Sequence, residues 1–183
     1  MPGTIPNTNI TGKGYIKREE FKVFADVSAG DAAAPEWELQ GDKVEDMSLE
    51  LNPNVETITD VTGVTTTVLD KYEVQTSVGT YRAKRDSKFG AILYDIVKEK
   101  KILSDVERAF LCVNLFSGTD GKYDAWTQKA VVAVQSYGGD TKGLNIPYNI
   151  HWEGERTHGT AAIADGKVTF TPGAPAEPAQ EGI

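Results

Sequence analysis

Cysteine and histidine, which structural zinc sites and many nucleophilic enzymes require, are scarce in this chain. One cysteine and two histidines occur in 183 residues. A single cysteine excludes an internal disulfide, and the apolar residues around Cys112 are typical of a small buried side chain rather than a reactive thiol. Zinc sites need three or four ligands, so His151 and His158 do not predict one. We therefore expect no metal site.

The motifs of common enzyme classes are missing as well. The sequence has no nucleophile elbow, no phosphate-binding loop and no dinucleotide-binding fingerprint. Asp120 and Asp124 lack the alternating ligands and the glutamate of a calcium loop, so a turn is the better interpretation there. The sequence predicts a protein that is not an enzyme and uses no cofactor.

Basic residues and long apolar runs are also in short supply. Asp and Glu number 27 against 19 Lys and Arg, for a formal net charge of −8. This balance argues against binding to nucleic acid or to an anionic membrane, but it suits a conduit past which DNA slides, because like charges repel. No apolar stretch approaches the roughly 20 residues of a membrane span, and no signal peptide is recognisable at the start. We expect a protein made in a cytoplasm.

Alternating apolar and polar residues dominate the middle of the chain and predict a single β-rich domain over residues 15–171. Residues 1–14 predict an extended N-terminal arm, and residues 172–183 predict a Pro/Ala-rich tail. The Asp165–Gly166 pair is a type I′ hairpin signal. Strands are expected at residues 21–27, 44–51, 56–62, 65–69, 108–116, 123–137, 144–152, 161–163 and 168–171, with 71–77 extending the ribbon of 56–69 and a turn at Gly154.

One segment, at about residues 88–101, has helical periodicity. Asp86 or Ser87 can cap its start, and three lysines complement the dipole at its end. Because this helix lies between strands, we expect it to flank the sheets. Its predicted apolar face consists of Phe89, Ile92, Leu93, Ile96 and Val97.

A long hairpin is predicted between residues 46 and 77. Around residues 57–67, one face offers Thr and Asp while the other offers Ile and Val. An isolated two-stranded hairpin is marginally stable in water, and its unpaired edges invite aggregation. Either the segment is a floppy surface loop, or a neighbouring copy of the chain covers it.

A basic run over residues 81–88 and three tryptophans allow two interpretations each. The basic run could contact nucleic acid, but acidic groups on another subunit are the favoured partner. Trp37, Trp126 and Trp152 could line a sugar-binding face, although anchors in a core or interface are the default.

Residues 37–63 carry a resemblance to a known family. The segment begins Trp-Glu-Leu-Gln-Gly-Asp-Lys-Val-Glu-Asp-Met, continues to Asn52, and is followed by Val-Glu-Thr-Ile-Thr-Asp-Val-Thr-Gly at residues 55–63. These stretches resemble the start and the ribbon of phage major tail proteins, the subunits of tail tubes. The order of arm, strand, long hairpin, helix and further strands is similar over about residues 15–170.

The resemblance implies a mainly β fold, a two-sheet β-sandwich or barrel-like tail tube fold with one flanking helix. It implies homohexameric rings stacked into a tube, with the arm and the hairpin bridging rings and with DNA in transit that is not specifically bound. Its partners would be further copies and the tape measure, terminator and distal tail proteins, in a virion tail assembled in the bacterial cytoplasm. Expected inter-subunit residues are Ile5, Ile10, Tyr15, Ile58, Val61, Val64, Val68, Arg82, Lys84 and Arg85.

Two alternatives stay open from the sequence. A tube subunit of a bacteriocin or of a secretion-type injection apparatus would share the fold and the assembly. A monomeric carbohydrate-binding or Ig-like module would explain the strands and the tryptophans, and it predicts a protein that does not self-associate.

Overall fold

The fold is mainly β, as predicted at that level, and strands make up 54 % of the residues that the structure describes. A computed structural model describes residues 10, 12–28, 34–119 and 121–173. Within those ranges there is one α-helix, α1 (Lys88–Glu99), and there are two 3₁₀ helices, Arg18–Glu20 and Leu103–Val106. The strands are β1 (Phe21–Asp26), β2 (Trp37–Leu39), β3 (Pro53–Thr59), β4 (Thr65–Tyr72), β5 (Gln75–Val78), β6 (Glu107–Thr119), β7 (Lys122–Val134), β8 (Gly138–Asp140), β9 (Gly143–Asn145), β10 (Tyr148–Ala164) and β11 (Lys167–Pro172).

Seven strands form the main antiparallel sheet. Its order is β11-β10-β7-β6-β1-β2, and β5 pairs with β10 beside this path. The type I′ turn predicted between β10 and β11 is present, since both Asp165 (φ 50°) and Gly166 (φ 75°) have positive φ. Among the described strands, β2 and β11 lie at the two ends of this path, because each has only one neighbour in the order.

The chain divides into two compact units. The first unit comprises Met1–Gln40, Ala109–Gln128 and Glu155–Ile183, and the second comprises Gly41–Arg108 and Lys129–Gly154. Most of the predicted arm, namely residues 1–9 and 11, and residues 174–183 of the predicted tail lie outside the described residues, as does Asp120. Pro172, predicted to begin the tail, is the last residue of β11.

The core of the first unit is built by alternation along β1, β6, β7 and β10. Inward-facing residues of neighbouring strands meet on one side of the sheet, because successive side chains of a strand point to opposite faces. Full burial of a large aliphatic or aromatic side chain stabilises a fold by about 1.5–3 kcal/mol. The buried residues are Phe24, Leu111, Val113, Ala125 and Ala161, and Trp37, Leu115, Tyr123, Ile163, Val168 and Phe170 pack against them.

The core of the second unit is organised around three aromatic rings. Tyr81, Phe89 and Tyr148 meet edge to face, with centroids 5.4–6.1 Å apart. Nearby in the chain, the buried indole nitrogen of Trp152 donates a hydrogen bond to Thr76 Oγ1 at 3.0 Å. Trp152 is therefore a core anchor, as its default interpretation predicted.

Helix α1 forms where the periodicity predicted it. Ser87 Oγ accepts a hydrogen bond from the Gly90 backbone N–H at 2.9 Å, which satisfies one of the unpaired donors of the first turn. The helix ends at Lys100, which adopts the left-handed conformation (φ 49°). The side that it buries carries Phe89, Leu93 and Ile96. The predicted bounds extend two residues further than those observed.

The prediction of a strand at residues 44–51 is wrong. These residues are irregular apart from a single bridge between Glu50 and Gln75. Local hydrogen bonds replace a ladder here: the Val44 N–H donates to Gly41 O at 3.1 Å, and the Ser48 hydroxyl donates to Asp46 at 2.6 Å. The alternation of the sequence reflects the burial of Met47 rather than pairing with a strand.

Three further strand predictions need correction. Gly154 does not end a strand, because β10 continues through it for 17 residues with Gly154 at φ 66°. The strand predicted at residues 144–152 is interrupted at Pro147, which has no N–H to donate to a ladder. The hairpin ends at Tyr72 rather than at residue 77, because β5 pairs with β10 instead.

Candidate assembly surfaces

The predicted long hairpin is present as β3 and β4. These two strands pair with each other and with no other described strand. Every residue of β4 is exposed, and so is every residue of β3 except Asn54, which is half-buried. Within the described structure, the hairpin therefore leaves its strand edges and both of its faces largely uncovered.

The register of the hairpin separates two chemically different faces. Glu56 pairs with Val68 and Ile58 pairs with Thr66. Since side chains alternate along each strand, Ile58, Val64 and Val68 lie on one side together with Glu56. We call these four residues the apolar hairpin face. Its three aliphatic side chains are 57 %, 58 % and 47 % exposed.

Threonines dominate the opposite face. The hydroxyls of Thr57 and Thr67 lie 3.3 Å apart, and those of Thr59 and Thr65 lie 3.1 Å apart. These cross-strand contacts stabilise the hairpin modestly. They keep its register without help from a core.

The tip of the hairpin is held by its own hydrogen bonds. Asp60 Oδ1 accepts from the Thr62 hydroxyl at 2.6 Å, from the Thr62 N–H at 2.8 Å and from the Val64 N–H at 3.0 Å. The Thr62 hydroxyl and the backbone donors lower the pKa of the Asp60 carboxyl, since they favour its charged form. Gly63 supplies the positive φ of 82° that the turn requires. The tip thus presents Val61 fully to solvent.

A second exposed apolar surface lies in the same unit, where the end of α1, the 3₁₀ helix Leu103–Val106 and β7 form a groove. Its volume is about 540 Å³. Ile102 and Leu103 are 68 % and 79 % exposed, which is unusual for adjacent aliphatic residues. We call it the α1 groove; it is lined by Ile96, Val97, Lys100, Lys101, Ile102, Leu103, Val106 and residues 131–137.

The α1 groove has two further features, which concern its lysines and its backbone. Lys101 is paired with Asp95, and this hydrogen bond lowers the pKa of the Asp95 carboxyl, whereas Lys100 has no ion pair with any described residue. Leu103 adopts φ 58°, a backbone conformation that costs a non-glycine residue about 1–2 kcal/mol. Sequence patterns did not predict the groove, because β7 lies far from the helix in sequence.

The structure distributes the predicted inter-subunit residues unevenly. Val61 joins the residues of the apolar hairpin face at the exposed tip. Ile10 and Tyr15 are exposed in the first unit, and Ile5 lies outside the described residues.

Two of the predicted cations of residues 81–88 have partners within the chain. Arg82 donates from Nη1 to Lys142 O at 3.3 Å, and Lys84 is paired with Asp42. Arg85 is exposed. The acidic partners predicted on another subunit remain a prediction, and for Lys84 an acidic partner already exists in the same unit.

The single cysteine and the two histidines form no reactive cluster in the described part of the chain. Burial raises the pKa of the Cys112 thiol to about 12, so the thiolate is not available near neutral pH. His151 and His158 are exposed in β10. Within the described ranges, no three His, Cys, Asp or Glu side chains are placed to hold a metal ion. No helix in those ranges is both long and apolar enough to cross a membrane.

No protein-family model matches the chain, and no curated protein matches it.

Proposed function

We propose that the chain is the structural subunit of a phage tail tube, in which rings of six copies stack around a lumen that conducts DNA. The observation that carries the proposal is the uncovered β3–β4 hairpin. A two-stranded hairpin with both edges open and aliphatic residues in solvent is a liability in a monomer. Packing against a neighbouring copy removes the liability.

The main sheet supports the same proposal. Strands β2 and β11 stand at the two ends of its path, and each can pair with a strand of a neighbouring subunit. Closing a ring satisfies such edges, and head-to-tail contacts between rings build a filament of open length. The two-sheet, barrel-like arrangement of tail tube subunits with α1 on its flank is part of the proposal.

The charge of the chain fits transport of DNA without binding. Each copy carries a formal net charge of −8, so a ring multiplies a repulsive potential toward phosphate. In the virion tail, the tube would contact the tape measure, terminator and distal tail proteins at its bore and ends. Its mechanism needs no catalytic residue.

A shortened hairpin tests the proposal. Pro53 and Tyr72 are paired, so a two-residue Asn-Gly turn in place of residues 54–71 should join the two ends of the hairpin directly. We expect the unmodified chain to form large assemblies in sedimentation velocity and the shortened variant to remain small. Below the concentration at which the unmodified chain assembles, the two should have similar melting temperatures. A shortened variant that assembles like the unmodified chain would contradict the proposed role of the hairpin in assembly.

A further inference from the structure

We propose that the α1 groove of one copy receives the apolar hairpin face of a second copy. The inference rests on the proposed self-assembly and adds the acceptor surface. Both surfaces lie in the second unit of the chain, so each copy carries one donor and one acceptor. This head-to-tail arrangement propagates from copy to copy without a second kind of protein.

The two surfaces match in size and polarity. The groove volume of about 540 Å³ is more than three times the roughly 150 Å³ of a cavity that holds one benzene-sized group, so three aliphatic side chains have room in it. Ile58, Val64 and Val68 would there meet the exposed Ile102 and Leu103.

The two surfaces also carry opposite charges. Residues 53–72 contain three acidic side chains and one lysine, for a net charge of −2. The charged residues that line the groove are Lys100 and Lys101, and Lys101 is already paired with Asp95. Glu56 lies on the apolar hairpin face, and Lys100 lines the groove without an ion-pair partner among the described residues. Complementary charges of this kind set the register of protein contacts.

The backbone conformation of Leu103 supports the inference independently of charge and size. A bulky residue held at positive φ is strained, and such strain is concentrated at binding sites and switch regions. Here the strained residue presents a side chain that is 79 % exposed. The Leu103 side chain would become buried only when an apolar partner binds in the groove.

Disulfide trapping tests the contact directly. The native Cys112 is fully buried, so only introduced thiols should react. Copies carrying Val64→Cys are mixed with tagged copies carrying Leu103→Cys and oxidised mildly. We expect a mixed disulfide dimer, and at least tenfold less of it when Val64→Cys is mixed with the control Lys122→Cys, which lies outside both surfaces. Equal yields from the two mixtures would overturn the inference.

Charge reversal provides the second measurement. Glu56→Lys and Lys100→Glu should each raise the concentration needed for assembly by roughly tenfold, because repulsion replaces attraction. The double variant should return to within about threefold of the unmodified chain, whereas the exposed control Glu45→Lys should have no effect. Two single losses without recovery in the double variant would overturn the proposed pairing.

The shortened hairpin distinguishes failure of the acceptor assignment from failure of self-assembly. If it abolishes assembly while neither trapping nor charge recovery occurs, the groove is not the acceptor and the proposed function stands. If it leaves assembly intact, the hairpin is not the contact between copies and the acceptor inference fails. If the unmodified chain itself stays monomeric, the proposed function fails.

Discussion

Replacing the three aliphatic residues of the apolar hairpin face by threonine should abolish assembly without unfolding the subunit. The variant combines Ile58→Thr, Val64→Thr and Val68→Thr, and it keeps the β-branching that favours strands. About half of each side chain is exposed in the isolated chain. Burial of that half by a neighbour is worth about 0.8–1.5 kcal/mol, half of the value for full burial.

The three contributions amount to roughly 2–4 kcal/mol for each contact between copies. A difference of about 1.4 kcal/mol is a factor of ten in an equilibrium constant, so the concentration needed for assembly should rise roughly 30-fold to 1,000-fold. The melting temperature should change little, because exposed substitutions usually alter the free energy of unfolding by less than about 0.5 kcal/mol.

Sedimentation velocity over a concentration series measures the effect. The matched control is Val55→Thr with Leu69→Thr, two exposed residues on the opposite face of the same hairpin. An unchanged assembly concentration in the triple variant, or an equal shift in the control, would refute the assignment of the apolar hairpin face to the contact.

Four further predictions concern the fold. Ser87→Ala removes the helix cap and should lower the free energy of unfolding by about 1 kcal/mol in urea denaturation; an unchanged value would contradict the role of the cap. Thr76→Val removes the acceptor of a buried indole N–H and should cost about 1–3 kcal/mol, with a melting temperature lower by about 2–4 °C per kcal/mol. Cys112 should resist thiol reagents at neutral pH until the protein unfolds, because burial raises its pKa to about 12; rapid labelling of the native protein would show otherwise. Thr62→Val should raise the pKa of Asp60 in an NMR titration. Because the folded pKa of Asp60 is lowered, its contribution to stability is fully present above the unfolded pKa of about 3.9 and is lost as pH falls through the folded value.

Features encoded by neighbouring residues could be predicted from the sequence. The helix is set by the 3.6-residue spacing of its apolar face and by Ser87 at its start. The turn at Asp165–Gly166 needs two residues that tolerate positive φ, and the Thr and aliphatic faces of the hairpin follow from alternation. Each of these signals lies within a few residues of the structure that it specifies.

Features that depend on distant segments were missed. Residues 44–51 alternate like a strand, but no neighbouring segment offers them more than one bridge, so hydrogen bonds of Val44 and Ser48 prevail. In the sequence, Ile102 and Leu103 look like ordinary apolar residues. They line a groove only because the fold brings β7 beside the helix. The strand that follows Tyr72, β5, pairs with β10, which comes about 75 residues later in the chain.

Electron microscopy of the purified chain over a rising concentration series, with sedimentation velocity in parallel, tests the central proposal most directly. A tail tube subunit should yield rings or hollow tubes of uniform width. A chain that stays monomeric up to its solubility limit would contradict the proposal, and a glycan-binding screen for a monomeric β-module would then be the next experiment.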